Sequence, residues 1–314
     1  MLNCSMSESE DCTDLEGRLR RPEARVDVVL DTDTFNEVDD QFALSYLIRS
    51  SERADLQAVY AAPFSNDKVA TPKEGMEKSA KEIRKLLTIL DKKNLENCVF
   101  YGSECYLSGE ISPVMSPAAL DLAERAMRYS KEKPLYVIAI AAITNIASAL
   151  LINPEIRDRI VIIWLAGHSF DWIDNYEFNM RQDVAAGRVI LGSKAPVVMV
   201  PCKGVASAFS ISRPEAEYWL RGKNALCDYL TDGLIEYSRR RKLLSTWSKP
   251  IWDVTAVGWL LDGKFTEDRL EHSPIPEYDH QWAFNKNRHL IRYVYHINRD
   301  ALMLDLMNKL TCKQ

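Results

Sequence analysis

Short, continuous, β-branched apolar runs that alternate with helical stretches constrain this chain more than any other feature. The runs are Val26–Leu30, Leu56–Ala61, Cys98–Tyr101, Leu135–Ala141, Ile160–Leu165 and Val197–Val200. Runs of this kind suit strands buried on both faces of a parallel sheet. Between them, Asp40–Arg49, Pro72–Leu90, Pro117–Tyr129, Ile143–Leu151 and Asp183–Leu191 carry helical periodicity. The alternation predicts βαβ units with right-handed crossovers, and hence a Rossmann-like α/β fold with a mostly parallel central sheet flanked by helices. After about residue 210 the pattern turns mostly helical, with a late strand at Leu290–Ile297 and a closing helix at Asp300–Leu310. In such sheets the functional site forms outside the carboxyl ends of the strands.

No repeat or linker divides the chain, so residues 25–314 are expected to form a single domain. Residues 1–24 have few large apolar side chains and are expected to be a disordered tail, with order beginning at Val26. Lysine and arginine total 40 against 45 acids, a net charge of −5. That balance argues against nucleic acid as a partner. No apolar run of membrane-spanning length occurs, so no membrane partner is expected. The N-terminus lacks the apolar core of a signal peptide. Seven scattered cysteines without a CxxC pair read as reduced thiols. A cytoplasmic location is expected.

The segment VDVVLDTDTFNEVDDQFAL, residues 26–44, holds the densest chemistry. Asp31, Asp33, Asp39 and Asp40 fall within ten residues, with Glu37 among them. If these carboxylates converge, some must take up protons or a cation must neutralise them. Oxygen ligands at this density suit a hard cation, Ca²⁺ or Mg²⁺. The plainer reading is a solvated loop with Asp39 or Asp40 capping the next helix.

Two enzyme families open this way. Asp31-Thr32-Asp33-Thr34 has the form of a phosphatase-type haloacid dehalogenase motif, with Asp31 as nucleophile and magnesium assisting. That family needs a later acidic pair such as GDxxxD, which is absent here. Asp31-x-Asp33 followed by Asp39-Asp40-Gln-Phe-Ala43-Leu44 resembles the nucleoside hydrolases. The loop Thr34–Val38 has five residues where that family's usual loop has three.

Three further segments carry the resemblance. Ile143-Thr144-Asn145-Ile146-Ala147 is similar to the family's Leu-Thr-Asn-Ile-Ala helix start, with Ala141-Ala142 in place of a glycine turn. Glu177-Phe178-Asn179 matches directly, with a following aspartate at Asp183. Trp252-Asp253 is similar to a purine-specific subgroup with Trp-Asp where other members have a histidine before the aspartate.

The resemblance implies a calcium-dependent ribonucleoside hydrolase. Its Ca²⁺ would be held by Asp33, Asp40, Asp253 and the backbone carbonyl of Ile140, and Asp33 would be the general base. Asp39, Glu177, Asn179 and Asn66 would bind ribose hydroxyls, with Asp31 holding the loop from behind. His168 stands where the family often has a ribose-binding asparagine. Trp252, with Trp247, Trp172 and His168 as further candidates, would serve the departing base and favour purine nucleosides. A homodimer or homotetramer is implied as well. A relative that keeps the ribose pocket without catalysis is the remaining alternative.

Overall fold

The computed structural model describes residues 15–243 and 245–312. Eight strands form the central sheet: β1 (Val26–Thr32), β2 (Ala54–Ala61), β3 (Val99–Tyr101), β4 (Leu135–Ala139), β5 (Ile160–Leu165), β6 (Val197–Val200), β9 (Thr266–His272) and β12 (Leu290–Ile297). Their order is β3-β2-β1-β4-β5-β6-β12-β9. All pairings are parallel except that of β12 with β9. Two small antiparallel pairs lie outside it: β7 (Ser210–Ser212) with β8 (Ser248–Pro250), and β10 (Ile275–Pro276) with β11 (Trp282–Ala283).

The sheet is buried on both faces. Val28 and Leu30 belong to one apolar cluster and Val29 to the other, as the two-residue side-chain alternation of a strand requires. Every residue of β4, β5 and β6 is buried. The expected strands and helices recur with shifts of a residue or two at most ends. The region Pro117–Tyr129 ends its α-helix at Arg125 and continues as a 3₁₀ turn, Ala126–Arg128.

Two expectations are corrected. The first is the tail: residues 1–14 lie outside the described residues, but order begins before Val26. Residues 15–18 form a helical turn, and Leu19 is fully buried. Arg21 lies 4.9 Å over the Trp259 ring and donates to Thr266 Oγ1 at 2.7 Å. Sparse apolar content hid a segment anchored by two buried leucines, Leu15 and Leu19, and by Arg18 and Arg21. The second is the region after about residue 210, where β12 was the only strand expected: the short β7, β8, β10 and β11 form there too, and β9 joins the central sheet. The β9 sequence TEDRLEH is too charged to read as a strand, yet charged side chains are what an exposed sheet edge uses against further pairing.

The chain winds outward one way through β1, β2 and β3, and the other way through β4, β5 and β6. The reversal falls between β1 and β4, which are neighbours. A crevice opens there at the carboxyl ends of the strands.

Candidate active site

A cavity of about 640 Å³ lies at that crevice. Asp33, Asp39 and Asp40 reach it from the loop after β1 and from helix α1 (Asp39–Ile48). Asn66 reaches it after β2, Ile140 after β4, and His168 after β5. Glu177 and Asn179 come from the start of the short helix Phe178–Gln182, and Trp252 and Asp253 from the start of Val254–Leu261. Apart from the alternative tryptophans, every residue assigned from the sequence to metal, catalysis or substrate therefore lines one cavity. Trp247 does not; it is buried in the apolar core. Trp172 is not part of the wall either, but its ring lies 6.1 Å from that of His168.

Asp39, Asp40 and Asp253 are buried, and one carboxylate oxygen from each lies within 4.8 Å of the others. An ion with oxygen ligands at roughly 2.3–2.6 Å spans such a separation. No hydrogen bond among the described residues ends on the Ile140 carbonyl, which lines the same cavity. The donor set is all oxygen, so it fits a hard divalent cation. Asp33 lies beside this triad, with Asn36 Nδ2 donating to its Oδ2 at 3.2 Å. The tightest acidic group thus contains Asp39, where the sequence reading had Asp33.

Burial dominates the electrostatics. It pushes Asp40 up to about 7, with Asp39 adding to the shift. Burial, then the neighbouring aspartates, also hold Asp33 and Asp253 well above the usual carboxylate range. These groups resist ionising together without a cation. Asp31, behind the cavity, is likewise pushed up to about 7 by burial. Asn145 Nδ2 donates to Asp31 Oδ1 at 2.7 Å, while its other oxygen is buried without a partner. Asn145 is therefore tied to Asp31 and not spent on a helix cap. Thr144 donates to Asp183 Oδ2 at 2.7 Å.

Glu177 caps its helix. Its carboxylate accepts from the backbone N–H groups of Gly167, Asn179 and Met180 at 2.9–3.0 Å. Asn179 donates from Nδ2 to the Leu165 carbonyl at 3.0 Å, which turns its amide oxygen to other donors. Asn66 donates to Asn36 Oδ1 at 2.8 Å and accepts from the Lys68 backbone at 2.7 Å.

The sequence reading missed Lys249. Its side chain is buried, and its ammonium donates to Glu37 Oε2 at 2.9 Å, Asp39 Oδ1 at 3.1 Å and the Pro250 carbonyl at 2.9 Å. All three protons of an ammonium are thereby used. Asn36 was missed too. Both belong to the account of the long loop: Glu37 pairs with Lys249, Asn36 touches Asp33 and Asn66, and Lys68 donates to the Phe35 carbonyl at 3.1 Å. The one available signal was the extra acid that the lengthened loop brings into an already acidic segment.

His168 is buried, and burial followed by the nearby Lys203 charge lowers it to about 4. A histidine whose folded value lies below its unfolded one stabilises the fold while neutral. That contribution is complete above about 6.5 and is lost as pH falls towards 4. Wild type should therefore lose Tm between those values more steeply than His168→Asn. Parallel melting curves over that range would oppose the assignment.

Residues 28–302 match the family model described as inosine-uridine preferring nucleoside hydrolase. The pyrimidine-specific ribonucleoside hydrolase RihA of Escherichia coli O1:K1 is 24% identical over 262 residues, covering 74% of this chain and 79% of that protein. The match to its namesake in Citrobacter koseri is shorter and spans about half of that relative, 47% of its length. Among solved structures, a plant nucleoside hydrolase superposes with a TM-score of 0.76 at 16% identity, covering 92% of this chain and 99% of that one. A purine-preferring ribonucleoside hydrolase from Gardnerella vaginalis gives 0.72 at 19% identity, covering 91% and 98%. With most of its length matched by the family model, this chain belongs to the inosine-uridine preferring nucleoside hydrolases, a family of hydrolases acting on N-glycosyl compounds.

Proposed function

We propose that this chain hydrolyses the N-glycosidic bond of ribonucleosides, releasing ribose and free base, with bound Ca²⁺ and a preference for purine nucleosides. The observation that carries the reading is the single cavity shared by Asp33, the triad Asp39, Asp40 and Asp253, and the pair Glu177 and Asn179. Membership of the family sets the phosphatase alternative aside.

Breaking this bond builds positive charge on the sugar, so an acidic pocket favours the transition state over the neutral substrate. A bound divalent ion would lower the pKa of the attacking water and hold it near the sugar. Asp33, Asp40, Asp253 and the Ile140 carbonyl are the proposed ligands. Asp33 accepts the water's proton as general base. Lys249 holds Asp39 Oδ1, which keeps that carboxylate aimed at a ribose hydroxyl although it lies close enough to compete for the ion. Glu177 and Asn179 take the remaining hydroxyls, with Asn66 and His168 at their side. Trp252 lines the cavity next to Asp253 and supplies a ring on which the base can stack. The names of the relatives point both ways on the base, since one is pyrimidine-specific and another purine-preferring. The tryptophan in place of a histidine acid is the reason for choosing purines.

Ribose release from a nucleoside panel, with and without chelator, tests this. Inosine, adenosine and guanosine should outrun uridine, and chelation should stop turnover until Ca²⁺ is restored. Equal rates on inosine and uridine would refute the purine preference. Full activity after chelation would refute the metal. Binding without hydrolysis would mark a non-catalytic relative. Stacking on an aromatic ring contributes about 1–3 kcal/mol per base. Trp252→Ala should therefore lower kcat/KM on inosine by about ten- to a hundredfold, and much less on uridine.

A further inference from the structure

The cations on the cavity wall fall into two kinds. Arg241 is paired with Glu37, which the buried Lys249 also contacts from behind the wall. Arg181 and Lys203 also line the cavity, but among the described residues no carboxylate pairs with either. The Arg181 guanidinium lies 4.8 Å over the Tyr176 ring and donates to the Tyr176 hydroxyl at 3.3 Å. The Lys203 ammonium lies 5.8 Å from the Trp172 ring.

His168 adds an independent observation. Its Nδ1 accepts from the Lys203 backbone N–H at 3.4 Å, so the ring proton belongs on Nε2. Nε2 is buried without a hydrogen bond, and the nearest carboxylate oxygen, on Asp174, is 3.9 Å away. A buried donor without a partner is costly, and a ligand oxygen would relieve it.

These groups adjoin the ones assigned to the sugar. The residue before His168, Gly167, donates to Glu177, and the Arg181 backbone N–H donates to the Glu177 carbonyl at 2.8 Å. A ribose hydroxyl needs no cation. A phosphate on the ribose does, and a lysine, an arginine and a neutral imidazole N–H are donors that suit its oxygens.

We propose that His168, Lys203 and Arg181 form a phosphate subsite, and that the substrates include ribonucleoside 5′-phosphates. This rests on the nucleoside hydrolase reading of the same cavity. The reaction stays a hydrolysis. The bond from C1′ to the base nitrogen breaks, the water oxygen bonds to C1′, and the base leaves with a proton, giving ribose 5-phosphate.

The test compares kcat/KM for inosine, inosine 5′-monophosphate and inosine 5′-diphosphate, in wild type and in the double variant Lys203→Ala/Arg181→Ala. Calorimetric titration of ribose and ribose 5-phosphate accompanies it. Both replaced side chains belong to exposed residues, so the variant should fold. The phosphorylated substrates should be favoured by about tenfold or more, an advantage that shrinks at least tenfold in the variant and fades at high salt. A stronger advantage for the diphosphate assigns the subsite to a diphosphate, and a stronger one for the monophosphate to a single phosphate. Equal turnover of inosine and its phosphates, or an advantage that survives in the variant, overturns the subsite alone. If nothing is hydrolysed, the nucleosidase reading fails separately. The subsite then stands only if ribose 5-phosphate binds more tightly than ribose and the variant removes the difference.

Discussion

Asp33→Asn should lower kcat on inosine by about 10²–10⁴-fold, the range expected when a general base is lost. The substitution keeps shape and removes only the charge and the proton-accepting oxygen. It should leave the fold intact. Burial raises Asp33 well above the usual carboxylate range, so its ionised form strains the native state when no cation is bound. The sign follows from linkage: a carboxyl with a raised folded value destabilises the fold as pH climbs past its unfolded value near 3.8. At pH 7 and without metal, Asp33→Asn should therefore melt at or above the wild-type temperature. Stopped-assay rates and parallel melting curves check both halves. Retained turnover would remove Asp33 from its role, and a collapsed Tm would show that it is structural.

That double expectation depends on geometry that the sequence carried only in part. The strand pattern was legible because β4, β5 and β6 are buried on both faces, which forces uninterrupted apolar runs. Strand β9 was not, because an edge strand owes its place to pairing with β12 and not to apolar content. The candidate site was legible where short motifs sit at strand ends: the acids after β1, Ile140 after β4, and Glu177-Phe178-Asn179 after β5. Contacts between distant segments were hidden. Nothing in the spacing of residues 37, 39 and 249 announces that they meet, and a lysine between serine and proline reads as solvated. Nor does the sequence show that Glu177 spends its carboxylate on three backbone donors.

The hidden contact carries the second large effect. Lys249→Met keeps the volume of the side chain, takes the ammonium away from the buried Asp39 beside Asp40, and leaves the half-buried Glu37 with Arg241 at 3.4 Å. Removing one partner of a buried ion pair costs about 3–5 kcal/mol, which corresponds to a fall in Tm on the order of 10 °C for a chain of this size. Part of that loss is charge alone, so Glu37→Gln added to Lys249→Met should recover some of it. A double variant no more stable than Lys249→Met would mean that the lysine acts through packing. Function should separate from stability. Freed from the ammonium, Asp39 can turn to the ion, so the variant should bind Ca²⁺ at least as well as wild type while losing its grip on the ribose. KM for inosine should then rise more than kcat falls, measured well below the lowered Tm. Unchanged KM with weakened calcium binding would reverse the assignment, making Lys249 a support for the metal and not for the sugar.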